Sequence, residues 1–184
     1  LPFENFSGDH DHDFLVSGMH DALIGELGQL GSVRVISRTS VLAYADSKRS
    51  IREITRDLDV DAVLEASVPI IDDNIRVQFK LFTALPEEQL LWSQTFIVGM
   101  DDILKLYSQA IRKITNEIHL TLSPVQITQI AERRVVNPES YKAYLRGKYF
   151  LYQLTEEGMK RGLEYLHKAV DIDPAEPFAY AGLA

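Results

Sequence analysis

The sequence predicts an α/β fold: a mixed five-stranded sheet in the order βαβαβββ with flanking helices, followed by an α-helical segment of repeat type. Three observations predict it. Residues 60–98 hold three consecutive runs that alternate with period two, the spacing of a pleated strand. Ahead of them, two short strand-like runs are each followed by apolar residues at helical spacing. Beyond residue 136 only helical patterns occur, punctuated by Asn137-Pro138, Thr155 and Asp173-Pro174.

Leu1 to Phe3 read as the tail of a first strand, and residues 4–13 as a polar loop in which Asp11 or Asp13 could cap the following helix. Leu15, Met19, Ala22, Leu23, Leu27 and Leu30 share one face of that helix, and Gly28 and Gly31 end it. Residues 32–37, SVRVIS, form a second predicted strand. Residues 38–44 read as a loop or one helical turn. Ser50-Ile-Arg-Glu53 is a capping box, in which serine and glutamate each satisfy a free amide. Ile51, Ile54 and Leu58 are the stripe of the short helix it opens.

In the meander, Ala62, Leu64, Ala66, Val68 and Ile70 share one face of the first strand. Ile75, Val77, Phe79 and Leu81 share one face of the second, and Leu90, Trp92, Phe96 and Val98 one face of the third. Asp72-Asp73-Asn74 and Pro86-Glu87-Glu88 suit the two turns. Pro69 interrupts the first strand and points to an edge or a bulge. Two strand-helix-strand units favour parallel pairing, after which the last strands join antiparallel.

Asp101 opens a long helix whose buried stripe is Ile103, Tyr107, Ala110, Ile111, Ile114 and Ile118. Ser123-Pro124-Val125-Gln126 starts another, predicted to run to about Arg134. The predicted domains are residues 1–122, a linker helix over 123–136, and a repeat segment over 137–184. The chain reads as cut at both ends, with helical repeats expected to continue past Ala184.

The chain carries 19 Lys and Arg against 27 Asp and Glu, a net charge of −8. That argues against nucleic acid at this segment, because neutralising phosphates needs clustered cations. Lys48-Arg49, Arg133-Arg134 and Lys160-Arg161 are the basic pairs, and each reads as a solvated helix face or end. Without cysteine, neither disulfide nor thiolate chemistry is available. No apolar run approaches the ~20 residues that span a bilayer.

Asp9-His10-Asp11-His12-Asp13 is the most chemical-looking string. His10 and His12 are weak candidates for metal ligands, because imidazole and carboxylate suit Zn²⁺, although neighbouring loop residues rarely converge on one ion. The alternative is an acidic loop that caps a helix. Ser37, Ser40 and Ser67 lack a nucleophile turn, and Gly25, Gly28 and Gly31 lack phosphate-loop spacing. No catalytic residue or cofactor is assigned. Tyr141, Tyr144, Tyr149 and Tyr152 either fill the core between helices or line a concave groove. Tyr144, Arg146, Lys148 and Tyr152 are the candidate partner-binding residues of such a groove.

From Pro174 backwards, Ala169, Leu166 and Gly162 occupy the small, large and small positions of a second repeat helix. Tyr180, Leu183 and Ala184 fit the opening of a next one. This segment resembles a tetratricopeptide repeat, with Gly147 a few residues early and a short insertion before Thr155. At the front, Leu-Pro-Phe-Glu-Asn-Phe-Ser-Gly-Asp (1–9), Arg-Val-Ile-Ser-Arg-Thr-Ser (34–40), Ala43-Tyr44, Arg52-Glu-Ile, Asp61-Ala-Val-Leu-Glu65, Ser67-Val68 and Leu91-Trp92 follow a known order. They are similar to the TolB amino-terminal-like domain, a relative of the flagellar assembly protein FlgO. Ala66 stands where that family usually has glycine.

The resemblance implies a regulatory, sensory and protein-interaction module of a larger bacterial signalling protein. Its output domain would be a winged helix (as in CadC-like regulators), a class III nucleotide cyclase or a kinase. The alternative it implies is the regulatory portion of an adenylate or guanylate cyclase. A protein or peptide is the expected partner of the repeat groove, and a small ligand could lie beside the sheet. That last expectation rests on the habit of open α/β sheets alone. The expected location is the extracytoplasmic face of a membrane-anchored parent, or else the cytoplasm.

Overall fold

Among the described residues, five strand segments fill four positions of one sheet: β1 (Glu4–Asn5), β2 (Ala62–Val68), β3 (Ile70–Ile71), β4 (Asn74–Thr83) and β5 (Gln89–Val98). The α-helices placed by the described residues are α1 (Asp13–Gly28), α2 (Arg38–Leu42), α3 (Ile51–Leu58), α4 (Ile103–Glu117), α5 (Pro138–Leu151), α6 (Glu156–Ile172) and α7 (Pro177–Leu183). This computed structural model describes residues 1–45, 47–71, 74–84, 86–120, 122–124, 126–127 and 136–183. The turn expected at Asp72 and Asp73 and the helix expected up to Arg134 therefore lie largely outside the described residues.

The meander forms as its alternation requires. β2 and β3 pair antiparallel with β4 in one unbroken register, from Ala62 opposite Thr83 to Ile71 opposite Asn74. Pro69 adds no bulge; its carbonyl accepts from the Arg76 amide at 3.1 Å. β1 pairs parallel with β2 only up to Asn5 opposite Val68, so among the described residues the chain past Pro69 has no strand neighbour on that side. The missing proline N–H is thus placed where no ladder needs it.

Two predicted features are corrected. Residues 32–37 form no strand, and the sheet has four positions rather than five. The Arg34 guanidinium donates to the Asp59 carbonyl, and Arg38 donates to Ser17 Oγ at 2.6 Å. The segment is held by side chains at its ends, not by a backbone ladder. In β5, Leu81 faces Trp92 but Phe82 faces Leu90, so Leu91 is an inserted residue. A bulge changes which face follows it. Leu90 lands on the Phe82 side and is 49% exposed, away from Trp92 and Phe96.

Ile75, Val77, Phe79 and Leu81 are all buried, and α1 and α4 cover this face of the sheet. The opposite face carries Glu65, Ser67, Gln78 and Lys80, with α3 beside β2. The Ser50–Glu53 capping box of α3 is complete, Ser50 Oγ accepting from the Glu53 amide and the Glu53 carboxylate from the Ser50 amide. Entry to α1 differs from expectation. Asp9, rather than Asp11 or Asp13, is the capping carboxylate, and it caps the 3-10 turn that leads into α1, accepting from the Asp11 amide at 2.8 Å.

The long helix α1 is buried nearly all round, including Phe14, Val16, Gly18 and His20 beside the predicted stripe. The cause is a second neighbour. Helix α5 lies on its far side, where a Cβ on Gly18 would stand 2.7 Å from Leu145 Cδ2. Tyr141 and Leu145 of α5 belong to the same buried cluster as Met19, Phe79 and Tyr107. The Tyr141 hydroxyl donates to that of Tyr107 at 3.5 Å, joining α5 to α4.

Helices α5 and α6 form a tight antiparallel hairpin. A Cβ on Gly147 or on Gly162 would each stand 3.0 Å from the other's carbonyl oxygen, so the two backbones touch there. Ser140 Oγ donates to the Ala169 carbonyl at 2.9 Å, and Ala143, Ala169 and Ala179 bring α7 against the pair. Leu166 is fully buried, whereas Met159 and Leu163 of the same helix are 56% and 43% exposed.

Candidate functional site

The candidate partner-binding residues divide between two sides of α5. Tyr144, Lys148 and Tyr152 are four residues apart, so they line one side of the helix. That side faces α1 and α2. Lys148 Nζ makes an ion pair with Asp21 of α1, with side chains only 27% and 16% exposed. The same ammonium lies 5.8 Å from the Tyr144 ring centre and 5.5 Å from that of Tyr152. Arg38 of α2 stacks over Tyr152 from 4.4 Å. Tyr144 in turn meets Phe178 of α7 at 4.9 Å. Arg146 points elsewhere, its guanidinium 4.5 Å from the Phe14 ring and 5.8 Å from that of Tyr165.

Three of the four candidates therefore form one polar and aromatic junction between the α/β part and the helical hairpin. Tyr152 is 43% exposed and Arg146 is also exposed, so both reach solvent beside this junction. Burial pushes up the pKa of Tyr144 and of Tyr152. Both are neutral hydroxyls at physiological pH. Sequence reasoning missed Asp21 and Arg38, the partners of Lys148 and Tyr152. The one available signal was Gly18, a mid-helix glycine that costs ~1 kcal/mol relative to alanine and so marks close approach.

His10 and His12 sit in the 3-10 turn that enters α1. His10 Nδ1 lies 3.1 Å from Asp13 Oδ2, and its side chain is 99% exposed. His12 Nδ1 contacts Ser7 Oγ at 3.2 Å. Asn5 Nδ2 donates to Asp13 Oδ1 at 2.6 Å, and this bond first, then His10, holds the Asp13 carboxyl below its usual pKa. Among the described residues no three His, Asp or Glu side chains converge as metal ligands would.

Two cavities flank the sheet. One, of about 820 Å³, lies over the polar face, between Glu65, Ser67, Gln78 and Lys80 and the segment around Tyr44 and Ser50. The other, of about 530 Å³, lies between the sheet, α1 and residues 32–36. Its wall is mainly aliphatic, from Leu23, Leu27, Val33, Val35, Leu64 and Ile118, with His20 set into it. His20 is 5% exposed. Its pKa is lowered to about 4, first by burial and then by the positive charges of the Leu1 amino group and Arg38. No helix among the described residues is long and apolar enough to cross a membrane.

No protein-family model matches the chain. A Rhizobium meliloti (strain 1021) protein named "Putative adenylate cyclase 3" is 28% identical over all 184 residues of this chain. The chain spans 31% of that protein's length. Among solved structures, lipoprotein GNA1162 from Neisseria meningitidis aligns with 67% of this chain and 96% of its own, at 15% identity and a TM-score of 0.42. A likeness at that level carries neither fold nor function across.

Proposed function

We propose that the chain is a non-catalytic regulatory and protein-interaction module of a larger bacterial signalling polypeptide, most specifically the regulatory portion of a nucleotide cyclase. The end-to-end likeness to 31% of a protein named as an adenylate cyclase carries this reading. It leaves more than half of that relative's length to house the catalytic domain. In this reading the α/β part is a TolB amino-terminal-like sensor, and α5, α6 and the start of α7 are a tetratricopeptide-type repeat. The touching glycines at 147 and 162, and the small residues where α7 joins, support that assignment. The repeat would take a protein or peptide partner beside Arg146 and Tyr152, and the parent would be anchored to a membrane.

The shared core and the Asp21–Lys148 pair support a transmitting role, because a change in one part strains the other. The test is cyclic nucleotide formation from ATP and GTP with Mg²⁺ or Mn²⁺. The expected result is an inert 184-residue segment and an active parent whose rate changes when the segment is removed. Activity in the segment alone overturns the reading. An inactive parent removes the cyclase and keeps the broader module.

A further inference from the structure

The cavity between α1, the sheet and residues 32–36 has a chemistry of its own. Its volume of about 530 Å³ falls in the range of small-molecule sites, ~300–1,000 Å³. Aliphatic side chains make most of the wall, and the charged groups on it are Arg34, Asp61 and the Leu1 amino group, which donates to the Leu64 carbonyl at 2.7 Å. Arg34 is already engaged, donating to the Asp59 carbonyl. His20 is different. It is 95% buried, lines the cavity, and its imidazole makes no hydrogen bond among the described residues. Its nitrogens keep contact with the open space, since the one sealed and unpaired side-chain polar atom among the described residues is Arg38 Nε. A buried polar group without a partner is costly, ~1–3 kcal/mol. Here the cavity is where a partner would come from.

We propose that this cavity binds an uncharged, mostly apolar small molecule with one hydroxyl, carbonyl or N–H group, held by a hydrogen bond to His20. The proposal rests on the sensory reading above and names its ligand class. A neutral imidazole offers one donor and one acceptor, so it serves either kind of head group. A carboxylate or ammonium would lose its hydration among aliphatic walls without a free counter-charge. Occupancy would press on residues 32–36, which lead directly into Arg38 and its contact with Tyr152 of α5.

N-phenyl-1-naphthylamine is a suitable probe, being uncharged, apolar, fluorescent in dry surroundings and equipped with one N–H. Titrated into the 184-residue protein, it is expected to bind saturably at one site and to be displaced by 1-decanol far better than by decanoate. Val33→Trp, which fills the cavity from its irregular wall, is expected to abolish binding. His20→Phe keeps the apolar ring and removes the head-group partner, and is expected to weaken binding about tenfold. His20→Gln, which restores a donor and an acceptor, is expected to recover part of that loss. Both histidine variants are compared by circular dichroism for intact folding. Non-saturable fluorescence, or Val33→Trp binding as the unaltered protein does, overturns the site. Equal affinity in His20→Phe overturns the anchor. None of these readouts requires cyclase activity, so an inactive parent with a filled cavity would remove the cyclase alone and leave the sensory site standing.

Discussion

At the scale of a single residue, His20 departs clearly from its ordinary behaviour. Burial, then the Leu1 amino group and Arg38, lower its pKa from 6.5 to about 4, against a weaker pull upward from Asp21. Between those values the unfolded chain binds a proton that the folded chain excludes. Stability from this group is therefore complete above about pH 6.5 and falls as pH drops toward 4, by roughly 3 kcal/mol in all. Urea unfolding at pH 4.5, 5.5 and 7 should show that slope, and His20→Phe should flatten it; an equal slope in both proteins would contradict the assignment. Lys148 offers a second test. Lys148→Met leaves Asp21 with little solvent and no counter-charge, and should cost about 1–3 kcal/mol, between the values for surface and buried pairs. Adding Asp21→Asn should return part of that loss, and a double-mutant cycle reads the coupling directly.

At the scale of elements, the α5–α6 hairpin depends on two glycines. Replacing Gly162 with alanine adds helix propensity of ~1 kcal/mol. The new methyl would stand 2.7 Å from Leu151 Cδ2 and 3.0 Å from the Gly147 carbonyl. Overpacking of that kind costs ~1–3 kcal/mol and should win, because one obstacle is backbone. Gly162→Ala is thus expected to lower the unfolding midpoint; a rise would show that the helices simply move apart. Helix α3 makes the opposite point, since its ends are set locally. Ser50→Ala removes one half of the capping box and should cost about 1 kcal/mol by the same measurement.

Across the whole molecule, one buried cluster runs from the sheet through α1 and α4 into α5. The two parts predicted as separate units should then unfold together. Trp92, the single tryptophan, lies against Phe79 and Phe96 in the sheet, while far-ultraviolet dichroism reports mainly the helices. The two signals should give coincident denaturation curves. Leu145→Ala, at the centre of the shared cluster, should lower both together by about 2–5 kcal/mol. Curves that separate would mean that the hairpin folds by itself.

Local rules were enough to write the meander, the capping boxes at Ser50 and Ser123, and the proline-started helix α5 into the sequence. Period-two alternation and caps act over a few residues, so they are legible in order along the chain. Three things were decided only by tertiary structure. Residues 32–37 alternate as a strand does, but they join no strand among the described residues and instead form part of the wall of a cavity. Helix α1 carries a single predicted stripe, yet it is buried on two sides because α5 returns to it from more than 100 residues away in sequence. Lys148 and Tyr152 carry no mark in the sequence of their partners Asp21 and Arg38, which only packing brings to that side of α5. The physical reason is the same in each case. A side chain's pattern records how much water it avoids, but which distant surface excludes that water is settled only when the chain packs.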